Sequence, residues 1–288
     1  MKKKEFFLFL LLVTVFFGLY LLAKNIFFPT NLKRITPEKI AQNYPLSTPT
    51  PIPTPKPLSF TEMNALYGPC VGLPTLMYHH VQDAAAAKEK NQSGLTVTTE
   101  TFGEQMKYLK ERGYQSVYMS DLVNFFAGTG RVPAKSILIT FDDAYDDFAI
   151  NAVPILREFG FKATLFVPTG LIDNPGYLSW QTLKDLAGAG DILFANHTWS
   201  HRNVGADKAE VEREITTADL QLEEKGLNTP KIFAYPYGLE SANAKTILQS
   251  LGYKLAFTTR PGSTLCQKQS LDLPRIRIGN VSISSYGF

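Results

Sequence analysis

From residue 73 onward, short runs apolar at nearly every position alternate with longer stretches whose apolar residues recur every three or four. The short runs, at 74–78, 115–118, 136–141, 163–167, 192–195, 231–235, 255–258 and 274–278, read as strands. A strand with one wet face alternates apolar and polar residues, so runs apolar throughout predict a parallel sheet covered on both faces. The intervening stretches read as helices. Phe102, Met106 and Leu109 share one helical face, with Thr99 as the expected N-cap and Gly113 just past the end. Ser120, Ser179 and Ser241 are further cap candidates, and 207–225 is a long, charge-rich helix with a modest apolar stripe. Repeated βα units predict an α/β domain folded as a single distorted or incomplete (β/α) barrel. An open flavodoxin-like sheet is the alternative. No glycine-rich phosphate loop follows any strand, which counts against nucleotide binding.

The pattern is different before the domain. Residues 1–5 form a basic tail with Lys2, Lys3 and Lys4, and 6–23 are apolar without interruption. As a helix this run is about 27 Å long, enough to cross a bilayer core. No small-x-small cleavage site follows it, so an uncleaved membrane anchor is expected, with a cleaved signal peptide as the alternative. Residues 24–59 form a linker in which Pro45, Pro49, Pro51, Pro53, Pro55 and Pro57 alternate with Ser, Thr, Ile and Lys. Such spacing excludes helix and favours an extended polyproline stalk of roughly 40 Å over 45–58. The folded domain is therefore expected at 60–288, outside the cytoplasm.

Composition narrows the chemistry only slightly. The net charge of +3 is small and its Lys and Arg are scattered, which argues against nucleic acid. Only two cysteines occur, with no C-x-x-C spacing. Cys70 and Cys266 stand near the beginning and end of the domain, where a closing barrel joins first and last strands. In an oxidising compartment they could form one disulfide.

The four histidines fall in two tight groups at strand ends, where a barrel places its active site. One strand runs directly into Asp142-Asp143. Adjacent carboxylates there repel unless a positive charge sits between them, and a metal supplies it. The other reading is a helix cap, a role for which Asp146 and Asp147 look better placed. A second strand leads into His197-Thr198-Trp199-Ser200-His201. Imidazoles at i and i+4 can converge on one ion, and one Asp with two His leaves a coordination position open for water. The first strand ends in His79-His80. His79 could be a third metal nitrogen, a general acid or a polar rim residue. In Tyr235-Pro236-Tyr237-Gly238 the proline stiffens the loop, so that the Tyr237 N–H can face a cavity and donate to an oxyanion; a loop with two packed tyrosines is the alternative. Tyr145, Trp199 and Tyr235, together with Trp180, could offer aromatic faces to a bound ligand; core packing is the expected fate of at least two of them.

Taken together, these segments resemble the polysaccharide deacetylases of carbohydrate esterase family 4, the NodB-homology group, from about Leu73 to the C-terminus. Thr140-Phe141-Asp142-Asp143 matches the T-F-D-D motif, and the segment from His197 to His201 matches H-[ST]-x-x-H. The resemblance implies Asp142 as catalytic base, and Asp143, His197 and His201 as ligands of one divalent metal. Zinc suits that set, and cobalt or nickel would also be accepted. It also implies Tyr237 on the oxyanion side. Two departures stand out. The Arg that usually steadies the base falls on Ala234; Leu273-Pro274-Arg275-Ile276-Arg277 contains two candidates to replace it, of which Arg275 is favoured. No His follows His201, so the usual late acid is missing. The strand ending in His79 resembles that of permuted members acting on poly-N-acetylglucosamine and related exopolysaccharides, which implies His79 rather than His80 as the acid. Gly is common after the Asp pair in this family, and Ala144 stands there instead.

The expected activity is metal-dependent removal of N-acetyl groups from an extracytoplasmic polysaccharide, with exopolysaccharide favoured over peptidoglycan or chitooligosaccharide. A non-catalytic surface lectin and an amidase or esterase acting on a non-sugar acyl group are the rival readings.

Overall fold

The computed structural model describes residues 57–205 and 207–288. The apolar run at 6–23 and most of the proline-rich linker lie outside the described residues. Among the described residues, no helix is long and apolar enough to cross a membrane.

In chain order the strands are β1 (Cys70–Gly72), β2 (Thr75–Tyr78), β3 (His80–Val81), β4 (Thr96–Val97), β5 (Gln115–Ser116), β6 (Ser136–Phe141), β7 (Ala163–Val167), β8 (Ile192–Asn196), β9 (Ile232–Ala234), β10 (Leu255–Pro261), β11 (Thr264–Cys266) and β12 (Leu273–Arg277). The main sheet runs β2-β12-β10-β9-β8-β7-β6-β5, and β2 also pairs with β6. That extra pairing, from Thr75 opposite Leu138 to Tyr78 opposite Phe141, closes seven parallel strands into a barrel. Strand β5 lies outside the ring, paired only with Ser136 and Ile137 at the start of β6. Closure removes the free edges that an open flavodoxin-like sheet would leave.

Side chains on a strand alternate between faces, so each barrel strand feeds two cores. Leu138, Phe166, Ala195, Ile232, Ala234, Leu255, Phe257 and Leu273 form one buried cluster, the barrel interior. Their neighbours Ile137, Ile139, Phe141, Leu165, Val167 and Phe194 pack outward under the helices. This two-sided burial is why the strands read as continuous apolar runs.

Eight helices are described: α1 (Phe60–Tyr67), α2 (Ala84–Glu89), α3 (Thr99–Glu111), α4 (Met119–Phe126), α5 (Val153–Phe159), α6 (Trp180–Ala187), α7 (Lys208–Glu224) and α8 (Ala242–Ser250). Ser179 and Ser241 cap α6 and α8 as expected, and Asp207 caps α7. Helix α3 is capped by Thr98 rather than Thr99, its hydroxyl accepting from Thr101 N at 3.2 Å. Helix α4 is not capped by Ser120, which lies inside it; Asp121 instead accepts from Tyr118 N at 2.8 Å.

Met119, Leu122 and Phe126 of α4 join the interior cluster with Leu73 and Leu265. They fill the end of the barrel from which β2 starts, so that end is a packed floor and the other is the mouth. At the floor, β1 and β11 pair antiparallel with Cys70 opposite Cys266. The two sulfurs are bonded, joining residues 196 apart in sequence.

Candidate active site

The mouth is an open cleft of about 430 Å³ lined by His79, Leu95, Asp142, Asp143, Tyr145, His197, His201, Tyr237, Thr259 and Arg277. The strand repeat explains much of this gathering. On β6 the inward series Leu138, Thr140 continues into Asp142, and on β12 the series Leu273, Arg275 continues to Arg277. On β2, Met77 and His79 share the face opposite Leu76 and Tyr78, whose side chains pack outside the barrel. His79 therefore faces the cleft while His80 turns away from it. The His80 Nδ1 meets Asp147 Oδ2 at 2.5 Å, and its ring stacks on Tyr145 with centroids 3.7 Å apart.

Asp142 and Arg275 form a buried two-pronged pair, Nη1 to Oδ1 and Nη2 to Oδ2, both 2.7 Å. Arg275 is fully buried and also donates from Nε to Thr258 O at 3.0 Å. Burial alone would raise the Asp142 carboxyl; the adjacent guanidinium more than compensates and holds it below the usual range. Asp142 is thus an ionised, oriented carboxylate. Arg275, the expected substitute for the Arg absent at Ala234, is the guanidinium that reaches Asp142. Ala234 contributes its carbonyl instead, which accepts from His197 Nδ1 at 2.8 Å.

Asp143, His197 and His201 each offer one ligand atom, and these atoms all lie within 4.8 Å of one another. Asp143 Oδ1 is 3.4 Å from His197 Nε2 and 3.0 Å from His201 Nε2. It is nevertheless buried with no well-formed hydrogen bond among the described residues. A carbonyl can only accept, so His197 carries a proton on Nδ1 and presents Nε2 to Asp143. A cation between these atoms would satisfy all three. The donor set of two imidazole nitrogens and one carboxylate oxygen fits a catalytic divalent metal. Burial would raise the Asp143 carboxyl, but the two imidazoles hold it well below the usual range.

His79 is depressed below the ordinary imidazole value, burial being the main cause and Asp142 and Asp143 partly offsetting it. Tyr145 forms one wall, its phenol raised by burial and then by the Asp143 charge. Tyr237 is exposed at the rim, edge-on to His201 with centroids 4.9 Å apart. Its backbone is left-handed (φ 60°), and the following Gly238 is also left-handed (φ 72°). A Cβ on Gly238 would lie 2.6 Å from Thr259 N, so the loop can pass there only with glycine.

Three expectations are corrected. Tyr235 is not a sugar platform: it lies on the outward face of its strand, buried edge-on to Phe233, its hydroxyl donating to Leu271 O at 2.8 Å. Trp199 does not line the cleft; its indole lies against Gly170, where a Cβ would fall 2.5 Å from Nε1. Asp147 does not cap a helix, because its oxygens bind His80 Nδ1 and Val81 N. Arg277, the other arginine candidate of that segment, lines the cleft two positions beyond Arg275 on one strand. Sequence reasoning overlooked Leu95, which arrives from a short turn, and Thr259, which stands near the end of β10 without a charged or motif residue to mark it.

A closed parallel barrel whose mouth holds an arginine-paired carboxylate beside an Asp-His-His group that could hold a metal ion is an arrangement suited to a hydrolase. Known proteins place it further. The sequence profile of the family described as polysaccharide deacetylase matches residues 129–256. The poly-beta-1,6-N-acetyl-D-glucosamine N-deacetylase of Escherichia coli is 29% identical over 254 residues, covering 73% of this chain and 37% of that protein. The chain thus spans little more than a third of that relative. The Staphylococcus aureus protein of the same name is 25% identical over 252 residues, covering 79% of this chain and 83% of its own. The deacetylase PplD of Streptococcus pyogenes, solved in complex with acetate, is 29% identical with a TM-score of 0.67, covering 73% of this chain and 93% of that one. Residues 129–256 therefore carry a polysaccharide deacetylase domain, in agreement with the resemblance of the Asp142-Asp143 and His197–His201 segments.

Proposed function

We propose that this protein removes N-acetyl groups from an extracytoplasmic polysaccharide, a poly-N-acetylglucosamine-like exopolysaccharide in the first place, by metal-dependent hydrolysis. The observation that carries the reading is the division between neighbours: Asp142 is neutralised by Arg275 and left free to act, whereas Asp143 turns toward two imidazoles. The substrate follows the names of the relatives and the position of His79 on the first barrel strand.

Asp143, His197 and His201 would hold the metal, zinc by preference with cobalt or nickel as alternatives. When bound there, a divalent cation supplies positive charge that polarises water and the acetamide carbonyl. Asp142, already ionised, accepts a proton from the attacking water. The Tyr237 N–H donates to the carbonyl oxygen as negative charge develops on it. His79, in its protonated form, gives a proton to the sugar nitrogen as the C–N bond breaks. Acetate and a free amine result, and the proton on the nitrogen avoids a strongly basic amide anion as leaving group.

The Cys70–Cys266 bond suits an oxidising compartment. With the apolar run at 6–23, it supports a membrane-anchored enzyme acting outside the cytoplasm; secretion after signal cleavage is the alternative. The test is acetate release on a panel of poly-N-acetylglucosamine, peptidoglycan and chitooligosaccharides, with and without a chelator and with metals added back. Chelator-sensitive release, highest on the first polymer, is expected. No release from any N-acetylated glycan would overturn the proposal.

A further inference from the structure

The loop carrying both candidate ligand histidines is not held in shape by its own backbone. Thr198 (φ 67°) and His201 (φ 58°) both sit in the left-handed region, which costs residues with a side chain and persists only where the surroundings enforce it. Thr169 N and Gly170 N donate to Thr198 O and Trp199 O, and the rest of the enforcement comes from α7. Glu214, 2% exposed, accepts from Ser200 N at 2.8 Å and from Ser200 Oγ at 2.7 Å, and its own carbonyl accepts from Trp199 N at 2.9 Å. One turn thus donates three hydrogen bonds to a single residue, immediately before His201.

A carboxylate is costly to bury, and a helix face in a core has no need of one. Glu214 has no Lys or Arg partner among the salt bridges of the described residues; its two oxygens are given to Ser200. On the other side of the loop Thr198 N donates to Asn196 Oδ1 at 2.8 Å, and Asn196 Nδ2 donates to Ile215 O, again on α7. Both ends of the strained turn are therefore referenced to adjacent residues of one helix.

We propose that Glu214 is a positioning residue for the divalent-cation centre: by clamping Ser200 it fixes the backbone that aims His201 at Asp143 and His197. This rests on the metal reading of the site and adds the element that presets it. Groups that orient metal ligands typically contribute 10- to 100-fold in affinity.

The test measures Zn²⁺ affinity of the full chain by competition with a chromophoric chelator, and the ligand-field spectrum of the Co²⁺-loaded protein. Glu214→Ala is expected to weaken Zn²⁺ binding about 10- to 100-fold and to change the Co²⁺ band intensities. Glu214→Gln, which can still accept from Ser200 N and donate to Ser200 Oγ, is expected to restore most of the affinity. Should Glu214→Ala fail to fold, Ser200→Ala decides: it removes one clamp bond and is expected to weaken Zn²⁺ several-fold with little change in apo Tm. Folded Glu214→Ala or Ser200→Ala with unaltered Zn²⁺ affinity and Co²⁺ spectrum overturns the proposal. A wild-type chain that binds neither metal overturns the metal reading, a separate failure.

Discussion

Arg275 closes on Asp142 through two parallel 2.7 Å hydrogen bonds, the guanidinium fully buried in the barrel and the carboxylate at the base of the cleft. The pair comes from strands that are not adjacent in the ring, and it makes the carboxylate both ionised and fixed in direction. Asp142→Asn keeps the shape and loses the base. Metal content should stay at the wild-type level while kcat falls by about 10²- to 10⁴-fold, the usual worth of general base catalysis. Turnover near the wild-type rate would remove Asp142 from that role. Arg275→Met leaves a buried charge without its partner and should destabilise the fold by about 3–5 kcal/mol, read from urea unfolding.

His197→Ala removes a ligand nitrogen whose tautomer is set by Ala234 O. Metal retained after dialysis should drop to background, with activity lost in parallel. His80→Ala, which alters a histidine outside the cleft, should leave metal content unchanged.

The pH dependence follows from His79. Its folded value lies below the ordinary one, mainly through burial, so the protonated form needed to act is present only at lower pH. kcat/KM should fall as pH rises through that value, with a limb at or below the ordinary ~6.5. His79→Gln should lower kcat and flatten that limb. The stability sign is opposite: the unfolded chain binds this proton more readily, so the His79 contribution is present above ~6.5 and is lost as pH falls.

Tyr145 and Trp199 separate by position. Tyr145 faces the cleft and is braced by His80, so Tyr145→Ala should raise KM for a polymeric substrate about 10-fold, the loss of one stacking contact. Trp199→Phe, away from the cleft, should leave KM within about two-fold while lowering Tm slightly.

The Cys70–Cys266 bond closes a loop of nearly the whole domain. Non-reducing peptide mapping should recover the two cysteines linked. The double Cys→Ala variant should lose about 2–5 kcal/mol of stability with kcat unchanged, since the bond lies at the floor.

The sequence by itself determined the layering and the chemistry: strands buried on both faces, helices between them, and an Asp pair and spaced histidines at strand ends. These follow from local repeats, the period of two on a strand and of nearly four on a helix, and from motifs short enough to read in place. Strand parity even separates His79 from His80 and sends Tyr235 outward, once the inward face is known. Tertiary structure decided which face is inward and that the ring closes at seven strands through β2 and β6. It also decided which guanidinium meets Asp142 from 133 residues away, and that Glu214 braces the histidine loop. Those are contacts between segments remote along the chain, set by how the barrel closes and how α7 packs against it, and no local pattern of residues encodes them.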